Sequence, residues 1–224
     1  WSTKVILDEL KELGIDENTI VIFTSDNGSR LQNQGGSNGN LRGGKGQTWD
    51  GGQRVPCIIR WPGKINEGEE TDALATTMDF LPSITNLIGG ELPSKKIDGI
   101  DMSELFFSNN NSSKRESFLY YNEDELEAIR YKNWKLHFKK EGKLINELYD
   151  LENDIGEEVN LYNENKEIVT ELSSLADDYR KSLGDKFLDI KGEEVRPASR
   201  IANPKPLTEF DENHPYMYAE YDKG

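Results

Sequence analysis

The stretch WSTKVILDELKELGIDENTIVIFTSDNG (residues 1–28) decides the fold class. Val5, Ile6, Leu10 and Leu13 recur at helical spacing, Ser2 or Thr3 can cap the start, and Gly14 stands where a left-handed stop is wanted. Together they predict an amphipathic helix. After the turn IDEN, the run TIVIFT (19–24) is rich in β-branched and aromatic residues, which predicts a strand covered on both faces. A helix feeding a buried strand is one unit of an α/β domain, with a parallel sheet as the expected frame. Such sheets bind ligands at the carboxyl ends of their strands, and Ser25, Asp26, Asn27 and Gly28 occupy that place.

Downstream lies a long Gly/Asn/Gln loop, then GGKGQTWDGG (43–52), then VPCIIRWP (55–62), a second strand ended by Pro62 and Gly63. Cys57 sits among apolar neighbours in that strand and reads as a small buried residue. TDALATTMDFLPSITNLIGG (71–90) reads as a loop, a helix carrying Met78, Leu81, Ile84 and Leu87, and a Gly-Gly stop. From Phe118 the texture changes. SFLYYNE, EAIRYKNWKLHFKK and NELYDLEND alternate apolar with polar residues, as short antiparallel strands with one wet face do. NKEIVTELSSLADDYRKSLGDKF (165–187) is a long amphipathic helix with Ile168, Leu172, Leu175 and Tyr179 on one side. The remainder holds four prolines without a sustained period and predicts an extended tail lying on the body. The expected organisation is therefore residues 1–115 as part of an α/β core, 116–190 as a small antiparallel sheet with a helix, and 191–224 as the tail.

Composition narrows the partners. The 224 residues carry a formal net charge of -15, which argues against nucleic acid. The charge is uneven. Between Leu41 and Lys64, five basic residues (Arg42, Lys45, Arg54, Arg60, Lys64) face only Asp50, whereas between Ile145 and Asp178 eleven acidic residues face Lys166 alone. The acidic run fits a solvated surface, and the basic stretch is the place for an anionic ligand. One cysteine makes no internal disulfide, and no run is long and apolar enough to span a membrane. The chain begins at Trp1, not methionine, and is expected to be cut from something longer.

Two features carry chemistry, and a third reads as packing. Asp26 and Asn27 offer a carboxylate and an amide carbonyl, the oxygen donors a hard dication prefers, although Asn-Gly is equally a common turn. Lys45 lies between glycines, where its ammonium can hold an oxyanion or simply be solvated; GGKGQT lacks the spacing of a phosphate-binding P-loop. Trp49 is placed to anchor the loop, with Arg54 paired to Asp50 or to an upstream carboxylate.

The order VIFTSDNG, LRGGKGQTWDGGQRVPCIIRWPGKI, TTMDFLPSITNLIG, AIRYKNWKLHF and ELYDLENDIGEEVNL resembles the C-terminal part of the sulfatase family, within the alkaline-phosphatase-like superfamily. The resemblance runs from about Val5 to Phe187. It implies part of an alkaline-phosphatase-like sheet sandwich followed by a small antiparallel sheet packed on a helix. It further implies that Asp26 and Asn27 are calcium ligands and that Lys45 is catalytic, binding the sulfate group and stabilising the departing oxygen. Arg42 is implied as a sugar or sulfate contact, and sulfated carbohydrate as the substrate.

The family's nucleophile is a formylglycine made from a Cys/Ser-x-Pro-x-Arg motif, which does not occur here: Ile58 and Ile59 follow Cys57, and VRPASR begins with Val195. The formylglycine, the first aspartate pair and the catalytic histidines are expected upstream of Trp1. His137 reads as a structural strand residue, and His214 lies in the tail. The resemblance thus predicts a chain inactive alone, in a periplasmic, extracellular or lysosomal setting. A sheet without its first strands exposes an edge and an apolar face, a large partner surface expected to be filled by the missing N-terminal half or by self-association. A related phosphodiesterase or phosphonate hydrolase, or a binding module without chemistry, are the alternatives.

Overall fold

A computed structural model describes residues 1–31, 35–107, 113–198 and 200–204. Helix α1 spans Ser2–Glu12 and strand β1 spans Val21–Thr24. The helix ends as Gly14 predicts: at φ 69 its N–H reaches Lys11 O, and the Ile15 N–H reaches Leu10 O, the paired bonds of a Schellman stop. At the other end Trp1 is the N-cap and no side chain caps the helix, so neither Ser2 nor Thr3 has the expected role.

Strand β2 (Cys57–Arg60) pairs with β1 antiparallel, Val21 opposite Arg60 and Thr24 opposite Cys57. The class is mixed α/β, but these strands are not the parallel frame that helix–strand alternation suggests. Nor is β1 covered on both faces. Phe23 and Ile58 stand opposite each other, 51% and 62% exposed, and Cys57 is exposed, not buried. Arg60 fastens the pair to the preceding turn, its two amino nitrogens donating to the two oxygens of Asp16 at 2.6 and 2.8 Å.

The short helix α2 (Asp50–Gln53) and helix α3 (Phe80–Leu87) follow. Asp79 organises the start of α3. It accepts from the Thr76 backbone in a capping box, from the Ile100 N–H, and from the Arg115 guanidinium through both oxygens. Burial works against this carboxylate, yet Arg115 and the two amides hold it below the usual carboxylate range. Pro82 of α3 is buried, Phe80, Ile84 and Leu87 are partly covered, and Leu81 is 53% exposed.

Strands β3 (Ser117–Asn122), β4 (Glu125–Tyr131), β5 (Trp134–Lys140) and β6 (Lys143–Asp150) form a four-stranded antiparallel meander. Helix α4 (Lys166–Leu183) lies on one face, where Ile129, Leu136 and Leu148 meet Val169, Leu172 and Ala176 in the main core. The face expected to be wet is not. Glu127, Lys135 and His137 are fully buried there, because Thr48, Trp49 and Asp50 cover them. The described part of the tail touches the body through Arg196, which donates to Lys96 O and to Asp98. The rest of the expected tail, with His214, lies outside the described residues.

Candidate active site

β1 ends at Thr24, and the chain then turns through Ser25, Asp26 and Asn27 into Gly28. Only glycine fits at position 28: a Cβ there would lie 1.7 Å from the Gly51 carbonyl oxygen. That close approach lets the Gly28 N–H donate to Gly52 O at 3.0 Å and brings the end of β1 against the glycine-rich segment. The Lys45 N–H donates to Ser29 O at 3.0 Å, and the Asn38 side chain bridges Ser29 and Gly43. Two segments far apart in sequence are so laced into one wall.

The wall encloses a cleft of about 380 Å³ whose lining includes Ser25, Asn27, Asn38, Lys45, Arg30 and Arg54. Asp26 lies beside it. Asn27 Nδ2 donates to Asp26 Oδ1, which is the main reason the Asp26 carboxyl sits below its ordinary value, and the nearby Lys45 ammonium adds to the effect. The fold therefore draws Asp26, Asn27 and Lys45 together, with both Asp26 and Lys45 open to solvent.

Arg42 does not line this cleft. Its guanidinium lies 3.6 Å from the centre of the Trp49 ring and donates to the Tyr149 hydroxyl at 2.9 Å and to Glu157 O at 2.8 Å. Arg54 does line it and pairs with exposed Asp72 at 3.5 Å, downstream of it, not with Asp50 or an upstream carboxylate as expected. Asp50 instead meets Lys135. Sequence reading left Arg30 and Arg54 out of the site. For Arg54 the signal was its place in the basic stretch beside two glycines, and for Arg30 there was none beyond its closeness to Asn27.

His137 has the structural surroundings expected of it. It is enclosed between the Trp49 ring, with centroids 4.1 Å apart, and Glu157, 3.1 Å from Nε2.

Comparison with known proteins finds relatives of the chain. Residues 1–90 match the Sulfatase family model. Steryl-sulfatase of Mus musculus is 37% identical over 150 residues, covering 62% of this chain and 24% of that protein. Arylsulfatase A of Homo sapiens is 35% identical over 182 residues, covering 70% and 36%. Among solved structures, the PsFucS1 sulfatase from Pseudoalteromonas sp. superposes with a TM-score of 0.70 at 29% identity, over 79% of this chain and 40% of that one. A structure described under the metabolism of multiple glycosaminoglycans by Bacteroides thetaiotaomicron gives 0.68 at 28%, over 79% and 42%.

The fold is thus that of part of an alkaline-phosphatase-like domain. Residues 1–90 carry a sulfatase-family domain, and the chain spans well under half the length of these relatives.

Proposed function

We propose that this chain supplies one side of a sulfatase active site, with Lys45 binding the sulfate group and Asp26 and Asn27 holding calcium. The observation that carries the reading is the cleft at the end of β1, which joins Asn27 and Lys45 and has Asp26 at its edge. An ammonium on a glycine-flanked crest can approach a sulfuryl oxygen without steric competition and neutralise charge on the departing oxygen. The lining cations Arg30, Lys45 and Arg54 suit an anionic substrate. Sulfated carbohydrate is the class favoured, in keeping with the glycosaminoglycan context of one structural neighbour.

The donor chemistry fits calcium. The Asn27–Asp26 bond uses Nδ2 and Oδ1, so Asn27 Oδ1 and Asp26 Oδ2 are the oxygens that would ligate. Two oxygens fall short of the roughly six to eight calcium takes. No group of three or more metal-ligating His, Cys, Asp or Glu side chains assembles among the described residues, so the other ligands must come from water and from groups outside them. When bound, the ion would polarise the sulfate oxygens.

The sequence holds no Cys/Ser-x-Pro-x-Arg motif to supply the nucleophile. Groups that act as a unit fail together, so the chain alone is inactive. A second polypeptide surface covers its apolar faces, either another copy or an N-terminal half, and of the two only the N-terminal half could also bring the nucleophile. Val5, Ile6, Phe23, Ile58, Leu81 and Ile88 are exposed apolar side chains for such a contact. The setting is periplasmic, extracellular or lysosomal; no helix among the described residues is long and apolar enough to cross a membrane.

Titration of the nitrogen-labelled chain with sodium sulfate tests the reading. Saturable shifts at the Lys45 amide, lost in Lys45→Ala, are expected. Shifts indifferent to that substitution would refute it, as would aryl sulfate turnover by the chain alone with calcium.

A further inference from the structure

Lys135 stands on β5 with its ammonium fully enclosed by the Thr48 carbonyl at 3.0 Å, Asp50 Oδ1 at 2.7 Å and Glu157 Oε1 at 2.8 Å. Two of these acceptors belong to the segment that carries Lys45. Glu157 grips the same segment at both ends. Its Oε2 accepts from the Asp50 N–H at 2.8 Å, and its backbone carbonyl accepts from Arg42 at 2.8 Å. Thr48 adds a 2.5 Å bond to buried Glu127. Lys45, its own N–H tied to Ser29 O, therefore tops a short span whose two feet, Arg42 and Thr48–Asp50, are pinned to one sheet face and one turn.

Plain packing does not call for this arrangement, since an apolar contact would hold the loop at lower desolvation cost than a buried ammonium between two carboxylates. Charged hydrogen bonds fix direction and register where apolar contacts tolerate sliding. Glu157 also holds a left-handed backbone, φ 53, a strained conformation for a residue with a side chain.

We propose that Lys135 and Glu157 are positioning residues for Lys45: the polar face of the small sheet sets the height and direction of the sulfate-binding lysine. The inference rests on the reading of Lys45 as the sulfate ligand. It makes the small sheet part of the site's geometry, though none of its residues lines the cleft.

The test is nitrogen relaxation and sulfate titration of the 224-residue chain with Lys135→Met and Glu157→Gln. In the folded variants the order parameters of the amides at 43–47 are expected to fall from about 0.85 to below about 0.6, with those of α4 unchanged. Sulfate affinity at Lys45 is expected to weaken about threefold or more. Loss of stability alone leaves native-state order parameters where they were, so this readout separates positioning from support. If Lys135→Met does not fold, Tyr120→Phe removes only the hydroxyl that donates to Asp50 Oδ1 at 3.1 Å and is expected to loosen the same amides. Order parameters at 43–47 that do not change in the folded variants overturn the inference. Sulfate binding lost in Lys45→Ala but undiminished in Lys135→Met overturns the inference alone. Binding that Lys45→Ala leaves intact overturns the sulfate reading and the inference with it.

Discussion

The Lys135 ammonium and the Asp50 carboxylate meet at 2.7 Å with side chains 0% and 2% exposed, although 85 positions separate them in sequence. The contact joins the small sheet to the segment that closes the candidate site. Burial works against the Asp50 carboxylate, but Lys135, aided by Arg130 and the Tyr120 hydroxyl, holds it below its ordinary range. Breaking the pair leaves two carboxylates, Asp50 and Glu157, without their cation. Lys135→Met is therefore expected to cost about 3–5 kcal/mol in urea unfolding. Removing the exposed Lys4–Asp8 pair with Lys4→Ala is expected to cost less than about 0.5 kcal/mol. Equal losses would contradict the assignment of the buried pair as a structural tie.

Two glycines of the site differ in what they make possible. A methyl group at Gly28 would collide with the Gly51 carbonyl at 1.7 Å, backbone against backbone, so Gly28→Ala should part the cleft wall and cost about 3 kcal/mol. Gly46 has φ 82 and nothing within 4 Å of the same methyl position. There only the left-handed backbone opposes alanine, at about 1 kcal/mol. Denaturant midpoints of the two variants check the order, and a reversed order would mean the wall is not built on that contact.

His137 makes stability depend on pH. Burial pushes its pKa down to about 4 from an ordinary 6.5, against the Glu157 hydrogen bond and with help from the Lys135 charge. The folded pKa is the lower one, so the unfolded chain takes up the proton first. The contribution of a neutral His137 is complete above about pH 6.5 and is lost as pH falls towards about 4. The loss is of order 3 kcal/mol. The difference in urea stability between the unaltered chain and His137→Asn should therefore shrink through that window; a difference flat with pH would contradict it.

The uncovered apolar side chains of α1, β1, β2 and α3 predict association of the isolated chain. Sedimentation velocity should show mass rising with concentration, and Phe23→Lys with Ile58→Lys should reduce it. A compact monomer at high concentration would count against a completing partner surface.

Local signals were legible where local physics decides. Gly14 fixes the end of α1, and the meander and α4 follow from alternation and helical spacing in their own residues. Trp49 was correctly read as an anchor, and Asp26, Asn27 and Lys45 do meet. What stayed illegible depends on distant partners. Alternation in KNWKLHFKK marks Lys135 and His137 as polar and hence wet, and nothing nearby announces that Thr48–Asp50 will cover them. Likewise Cys57 and Phe23 lie in apolar runs, yet burial needs an opposing surface that the described residues do not provide. Arg42 stands in the basic stretch, but its guanidinium is drawn away from the cleft by Trp49, Tyr149 and Glu157.

The central claim is that Asp26, Asn27 and Lys45 complete a sulfatase centre whose nucleophile lies elsewhere. The most direct measurement is the coding sequence immediately upstream of the Trp1 codon. The account predicts an in-frame Cys/Ser-x-Pro-x-Arg preceded by a pair of aspartates. A stop codon or a start codon adjacent to Trp1 would contradict it and leave a binding module without chemistry.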